Sequence, residues 1–328
     1  MPVLLLSRAD VVALLDLDEL RGAVGTALAE LSAGSVSMPP RIAAAVQERD
    51  AMLAAMPAYV PALGALTTKL VGVFPHNTER PSHQALIACF DASDGTPVAI
   101  MDGTEVTAAR TAAGSALATD LLARRDARVL AILGTGVQAR SHARAVTRVR
   151  AFAEVRVWGR RTDAGEAFAA ELHAGLGVSA KAVSEVADAL TGADVVCATT
   201  HADEPVVRRE WLTPGVHVNS VGYNTAGREV DAETVAAARL VVESRAAALA
   251  PPPAGSNDLL WPIRDGLIGP EHVHAELGEL VSGRASGRVS DEEITLYKSV
   301  GVAVEDAAAA ALVLRAARQR GVGREVEL

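Results

Sequence analysis

The chain has 328 residues, of which 50% are hydrophobic, 3% aromatic and 22% charged, and it carries a net charge of −9. That length supports two sizeable cores packed with small aliphatic side chains, and the acidic balance excludes nucleic acid or an anionic membrane surface as the main partner. No apolar run reaches transmembrane length, and Val3-Leu-Leu-Leu6 is too short for a signal peptide. Cys89 and Cys197 sit in apolar runs as buried thiols, so a cytoplasmic protein is expected.

Apolar residues recur at helical spacing over 16–31, with acidic residues at the start, and Met38-Pro-Pro-Arg41 breaks that helix. Segments with strand character follow at 51–57, 66–74, 84–90 and 98–101. Asp94-Gly95 and Asp102-Gly103 punctuate them as hairpin turns do. A long Ala-rich helix covers 104–124. The first part is therefore expected to be α+β with antiparallel strands. Within it, Lys69 interrupts a run that should be buried, Leu66-Thr-Thr-Lys-Leu-Val-Gly-Val73. Lysine is rarely buried without a partner, so Lys69 is a site candidate. His83 opens a strand; it either lines a pocket and relays a proton or is a packed, hydrogen-bonded histidine.

After Arg128 strands alternate with helices, at 129–133, 155–158, 194–200, 216–221 and 239–243, which signals a parallel sheet. The first of these strands runs into Gly134-Thr-Gly-Val-Gln-Ala139, and a helix is expected over 141–149. In that context Gly134 makes the tight turn, Gly136 lets a pyrophosphate approach the backbone, and small Ala139 lets the helix pack. Thr135, Val137 and Gln138 complete the loop of a nicotinamide dinucleotide site. The second strand ends at Gly159-Arg-Arg-Thr162, where NAD enzymes place a carboxylate for the ribose 2′-OH. Arg160, Arg161 and the Thr162 hydroxyl suit a 2′-phosphate instead, so NADP (NADPH) is the expected cofactor. Thr199, Val221 and Gly222 lie at the carboxyl ends of later strands, where ligands of open α/β sheets bind. Further on, 251–255 reads as a loop, 302–318 as an apolar helix and 321–328 as a frayed tail. His272-x-His274 has no companion His or Cys for a metal site, and there is no Gly-x-Ser-x-Gly nucleophile motif.

Several segments resemble the ornithine cyclodeaminase/mu-crystallin family: Met56-Pro-Ala-Tyr59, Ala65-Leu-Thr-Thr-Lys-Leu-Val71, Pro81-Ser-His-Gln84 and Met101-Asp-Gly103. Arg110-Thr-Ala-Ala113, the Gly134 loop, Val300-Gly301 and Val304-Glu-Asp306 continue the match collinearly. The mu-crystallin branch is nearest. The resemblance implies a substrate and dimerisation domain formed by 1–122 with 303–328, a Rossmann domain inserted at 123–302, and a homodimer. It also implies that Arg41, Lys69 and Arg110 hold the carboxylate of a small 2-imino, 2-oxo or amino acid. Cyclodeaminases of the family use two acid/base carboxylates where this chain has Ala54 and Asn224, the latter a candidate substrate contact. Their cycle of amine oxidation, ammonia loss and ring reduction needs those proton shuttles. Reduction of a preformed C=N bond needs only a hydride and one proton, for which Lys69 is the candidate. An NAD(P)H-dependent ketimine reductase is therefore expected. An alanine dehydrogenase-like or cyclodeaminase-like enzyme, or a non-enzymatic ligand binder, is the alternative.

Overall fold

Seven strands build the first sheet in a computed structural model that describes residues 2–252 and 254–327, six of them early in the chain: Pro2–Leu6 (β1), Ile42–Val46 (β2), Ala51–Val60 (β3), Ala65–Val73 (β4), His83–Phe90 (β5) and Pro97–Asp102 (β6). Neighbours from β2 to β6 pair antiparallel, and β1 adds to β6 in parallel. In β4 alternate residues are buried, so Ala65, Thr67, Lys69 and Val71 share one face. Register places Lys69 opposite Met56 of β3 and Ile87 of β5. Helix Leu17–Ala33 starts at Asp16, whose carboxylate accepts from the N–H groups of Asp18 and Glu19, and ends on left-handed Gly34.

The sheet that follows consists of Val129–Leu133 (β7), Glu154–Trp158 (β8), Ala180–Ala182 (β9), Val195–Ala198 (β10), His217–Ser220 (β11), Arg239–Val242 (β12), Val273–Glu276 (β13) and Thr295–Lys298 (β14). Its order is β13-β12-β14-β11-β10-β7-β8-β9, and every pair is parallel. Apolar clusters cover both faces, which is why β10 and β11 are buried throughout and β7 from Leu130 on. The sequence reading found five of these strands and missed β9, β13 and β14, each only three or four residues long. The helix after the glycines is Val137–Val146, four residues earlier than expected, because extended Gly136 is itself its N-cap.

Helix Ala303–Arg320 packs on β3, β4 and helix Leu17–Ala33. Arg324–Glu327 (β15) then pairs antiparallel with β1, correcting the expected fraying of the tail. That pairing covers an edge that β1 would otherwise expose. Leu328 and, within the expected 251–255 loop, Pro253 lie outside the described residues. The chain divides into two compact units, Met1–Arg110 with Gly301–Leu328, and Thr111–Val300. No helix among the described residues is long and apolar enough to cross a membrane.

Candidate active site

In the second unit the chain leaves β7 toward β8 and β9 on one side and returns to β10 and β11 on the other. That reversal is where open α/β sheets take up ligands. Gly134 has φ +113°, and a Cβ there would lie 2.8 Å from Thr199 Oγ1. The Thr199 hydroxyl donates to the Leu133 carbonyl at 2.8 Å, so the turn is locked under the strand end. A Cβ on Gly159 would meet Thr135 Cγ2 at 2.7 Å. Gly136 differs: a Cβ there would meet nothing within 4 Å, and no side chain caps the helix behind it. Beside it the buried Gln138 Oε1 has no partner among the described residues. An open cradle, uncapped helical N–H groups and a spare acceptor fit a dinucleotide pyrophosphate and its ribose.

These contrasts give a prediction. Gly136→Val is expected to leave the melting temperature unchanged, since its side chain enters open space. The cofactor Kd should rise by about tenfold or more, equivalent to about 1.4 kcal/mol. Calorimetric titration checks it; unaltered affinity would remove Gly136 from the site.

At the basic turn, Arg160 is exposed, and Arg161 donates from Nε to Asp163 Oδ1 at 3.1 Å. Thr162 opens helix Thr162–Leu176. At the end of β11, the Val221 N–H donates to the Ala198 carbonyl at 3.0 Å. Gly222 is required by space, since a Cβ would fall 2.5 Å from Glu229 Oε1 and the Thr200 carbonyl.

The first unit gathers the cations. Lys69 Nζ lies 2.7 Å from Asp306 Oδ2 and 3.4 Å from Thr107 Oγ1. Arg110 donates from Nη1 to Glu305 Oε2 at 2.7 Å and from Nε to Asp306 Oδ1 at 3.0 Å. Arg41 Nη2 donates to the Gly301 carbonyl at 2.6 Å. Gly301 has φ +71°, and a Cβ would press on both Arg110 Nη atoms at 2.8 Å. Lys69, Arg110, Glu305 and Asp306 are all buried. Burial pushes Lys69 down to about 8; Asp306 opposes that, and Arg110 and Arg41 add to it. Burial works against the Asp306 charge as well, but Arg110 and then Lys69 more than offset it and hold the carboxyl below its usual range. Arg41, Lys69 and Arg110 bring cationic groups to one cluster with Glu305 and Asp306, and guanidinium groups are suited to pairing with a small carboxylate.

The other sequence candidates have contacts of their own. His83 is exposed at the start of β5, opposite Val73 and four register positions from the Lys69 pair, and its Nδ1 lies 3.1 Å from Ser82 Oγ. Asn224, in the second unit, donates to the Ala202 carbonyl (3.0 Å) and Asp203 Oδ1 (2.8 Å) and accepts from the Ala226 N–H. Its amide builds a loop. Ala54 is buried on β3 opposite Val71. His272 Nε2 lies 2.8 Å from the Val235 carbonyl, and His274 meets Arg239 and the Ser286 carbonyl. Among the described residues no three His, Cys, Asp or Glu side chains gather as a metal would require.

Sequence reasoning missed a second buried lysine. Lys298, on β14, contacts Asp258 Oδ2 at 2.7 Å and donates to Ser220 Oγ (3.0 Å) and the Gly222 carbonyl (2.9 Å). Glu229 accepts from the N–H groups of Thr200 and Gly222 and the hydroxyls of Thr200 and Ser220. This network fixes the loops at the carboxyl ends of β10 and β11. A signal was available: only three of the 31 basic residues are lysines, and Lys298 ends the run Ile294-Thr-Leu-Tyr297. Where arginine supplies nearly all the surface charge, a lysine in an apolar run marks a buried pair. Glu305 and Asp306 entered the reading only as part of a motif, although both open a helix whose next residues are all alanine.

Comparisons with known proteins bear on the family and the fold. The family model of the ornithine cyclodeaminase/mu-crystallin family matches residues 2–321. The ketimine reductase mu-crystallin of Mus musculus is 44% identical over 283 residues, 85% of each chain. The structure of Thermococcus litoralis Delta(1)-pyrroline-2-carboxylate reductase, in complex with NADH and L-proline, superposes with a TM-score of 0.95. It is 39% identical and covers 99% of this chain and 100% of its own. An archaeal alanine dehydrogenase dimer with bound NAD gives a TM-score of 0.93 at 32% identity, with 100% of both chains covered.

Proposed function

The chain belongs to the ornithine cyclodeaminase/mu-crystallin family, and from that premise we propose that it is a nicotinamide-dependent imine reductase. Its substrate in this reading is a cyclic or linear 2-imino acid, reduced to an L-amino acid. The observation that carries the reading is the cluster of half-buried Arg41 with buried Lys69, Arg110, Glu305 and Asp306. Arg41 and Arg110 orient the substrate carboxylate, and Lys69 holds the proton destined for the imine nitrogen. When bound, a nicotinamide cofactor would supply the hydride that the imine carbon takes up, and the Gly134 loop would hold its pyrophosphate. Ammonia-releasing cyclisation is not expected, because Ala54 has no acid function and the Asn224 amide is occupied by its own loop.

NADPH is the proposed cofactor. Arg160 is exposed, and the solvent-facing Arg161–Asp163 pair exchanges readily for a 2′-phosphate. A homodimer is also part of the proposal. The outer face of the first sheet exposes Leu53 and Leu86, β2 exposes Ile42 at its edge, and the archaeal relative is a dimer. Light scattering should return twice the 33.9 kDa chain mass.

The test is NADPH oxidation with pyrroline-2-carboxylate, piperideine-2-carboxylate, and 2-oxo acids mixed with ammonia or methylamine, repeated with NADH. Reduction of at least one imine is expected, with NADPH favoured by about tenfold or more in kcat/KM. Replacing Arg160 and Arg161 by serine should erase that preference. No oxidation with any imine would sink the reductase reading, and equal use of both cofactors would sink only the NADP assignment. The similarity to the alanine dehydrogenase favours a second reading, the same half-reaction run toward oxidation, which NADP+ reduction with L-alanine or L-proline would reveal.

A further inference from the structure

The cluster in the first unit includes an amine, Lys69, whose charge changes near neutrality. Arg110 and Arg41 stay cationic at any working pH. Asp306 is held as a carboxylate by two partners, with Oδ1 on Arg110 Nε at 3.0 Å and Oδ2 on Lys69 Nζ at 2.7 Å. Lys69, by contrast, is pushed by burial to about 8. The charged groups acting on it are Asp306 from helix Ala303–Arg320, Arg110 from helix Gly103–Leu122 and Arg41 from the segment before β2. Its register neighbours Met56 and Ile87 are uncharged, and Thr107 offers a hydroxyl at 3.4 Å whose own proton goes to the Gly103 carbonyl. Of the groups acting on the buried amine, two cations disfavour its charge and Asp306 favours it.

We propose that Asp306 is a positioning residue that keeps Lys69 in its ammonium form, so that proton delivery to the substrate depends on a carboxylate that touches only the protein. The destination of the proton rests on the imine-reductase reading above. In that step the imine carbon accepts hydride with its electron pair, and the C=N π pair withdraws to nitrogen. That nitrogen takes a proton from Lys69 Nζ, and water reprotonates the neutral amine afterwards. The bond from Arg110 to Asp306 Oδ1 keeps the carboxylate from swinging away when Lys69 is neutral.

The chain has three lysines, so protein labelled with 13C at lysine Cε gives three resonances, and the one lost in Lys69→Arg belongs to Lys69. In the wild type it should titrate at about 8. In Asp306→Asn the midpoint should fall by about one pH unit or more, since an opposite charge at this range supports the charged form by about 1–3 units. The alkaline limb of kcat/KM should move down with it, and Asp306→Glu should restore part of both. A purely structural Asp306 would lower activity equally at every pH and leave the Lys69 midpoint in place. A folded Asp306→Asn protein whose Lys69 midpoint stays within about 0.3 unit of the wild type overturns the proposal. If that variant does not fold, the wild-type titration decides alone. A buried lysine without a counter-ion titrates near about 5–6, so a wild-type Lys69 already neutral at pH 6 also overturns it. Intact coupling in a protein that reduces no imine would refute the reductase reading and leave the Lys69–Asp306 assignment standing.

Discussion

Replacing Lys69 by alanine is expected to lower kcat/KM for imine reduction by about a thousandfold or more, within the range attributed to a positioned general acid. The variant should still fold, because Asp306 keeps its bond to Arg110 when the amine is removed. Lys69→Arg separates two roles. A guanidinium keeps the positive charge that attracts the carboxylate but does not release a proton near neutrality. Its KM should stay within about tenfold of the wild type, while kcat falls by about a hundredfold or more. The pH dependence follows from the same group. Reduction needs the ammonium form, which is present below the folded midpoint of about 8 and lost above it, so kcat/KM should decline as pH rises through 8. Steady-state kinetics from pH 6 to 9.5 would check all three expectations. Wild-type kcat in Lys69→Arg would show that the proton comes from elsewhere.

The dinucleotide loop of the second unit and the cationic cluster of the first differed in how far sequence alone could reach. The dinucleotide half was legible because its chemistry is local: a strand, three small residues and a helix start within eleven consecutive positions, and the turn fixes their geometry. The helix boundary was misplaced because Gly136 starts the helix with backbone alone, leaving no polar cap residue to read. The cationic half was legible only for Lys69, whose charge contradicts the apolar run around it. Its counter-ions lie some two hundred positions downstream, and no local pattern connects Arg110 to residues 195 and 196 positions away. Lys298 was hidden for the same reason, since Asp258 reaches it from another segment. The strand that carries Lys298, β14, lies between β11 and β12, out of chain order, so neither length nor order announced it.

The largest loss of stability is expected at Arg110. Arg110→Ala would take from the buried Glu305 and Asp306 the guanidinium that pairs with both. Removing one partner from a buried ionic cluster costs about 3–5 kcal/mol, because the remaining charges stay out of water without their counter-ion. The family resemblance assigns Arg110 to the substrate carboxylate, which alone predicts a raised KM. Its bonds to two carboxylates add a folding role, so urea unfolding and KM should both respond. The cost depends on pH with a definite sign. In the wild type the Asp306 carboxyl is held below its ordinary value, so its stabilising contribution is present at neutral pH and lost as pH falls through that lowered pKa. Without Arg110 the buried Asp306 carboxyl takes up a proton more readily, so the deficit of the variant should be widest near pH 7 and narrow toward pH 4. Gly301→Ala provides the control for geometry without loss of charge. Its methyl would press on the guanidinium from a backbone with φ +71°, straining the cluster while every ion stays in place. It should therefore destabilise at all pH values alike. A pH-independent deficit in Arg110→Ala would mean that the arginine matters there as a packed side chain and that water already serves the two carboxylates.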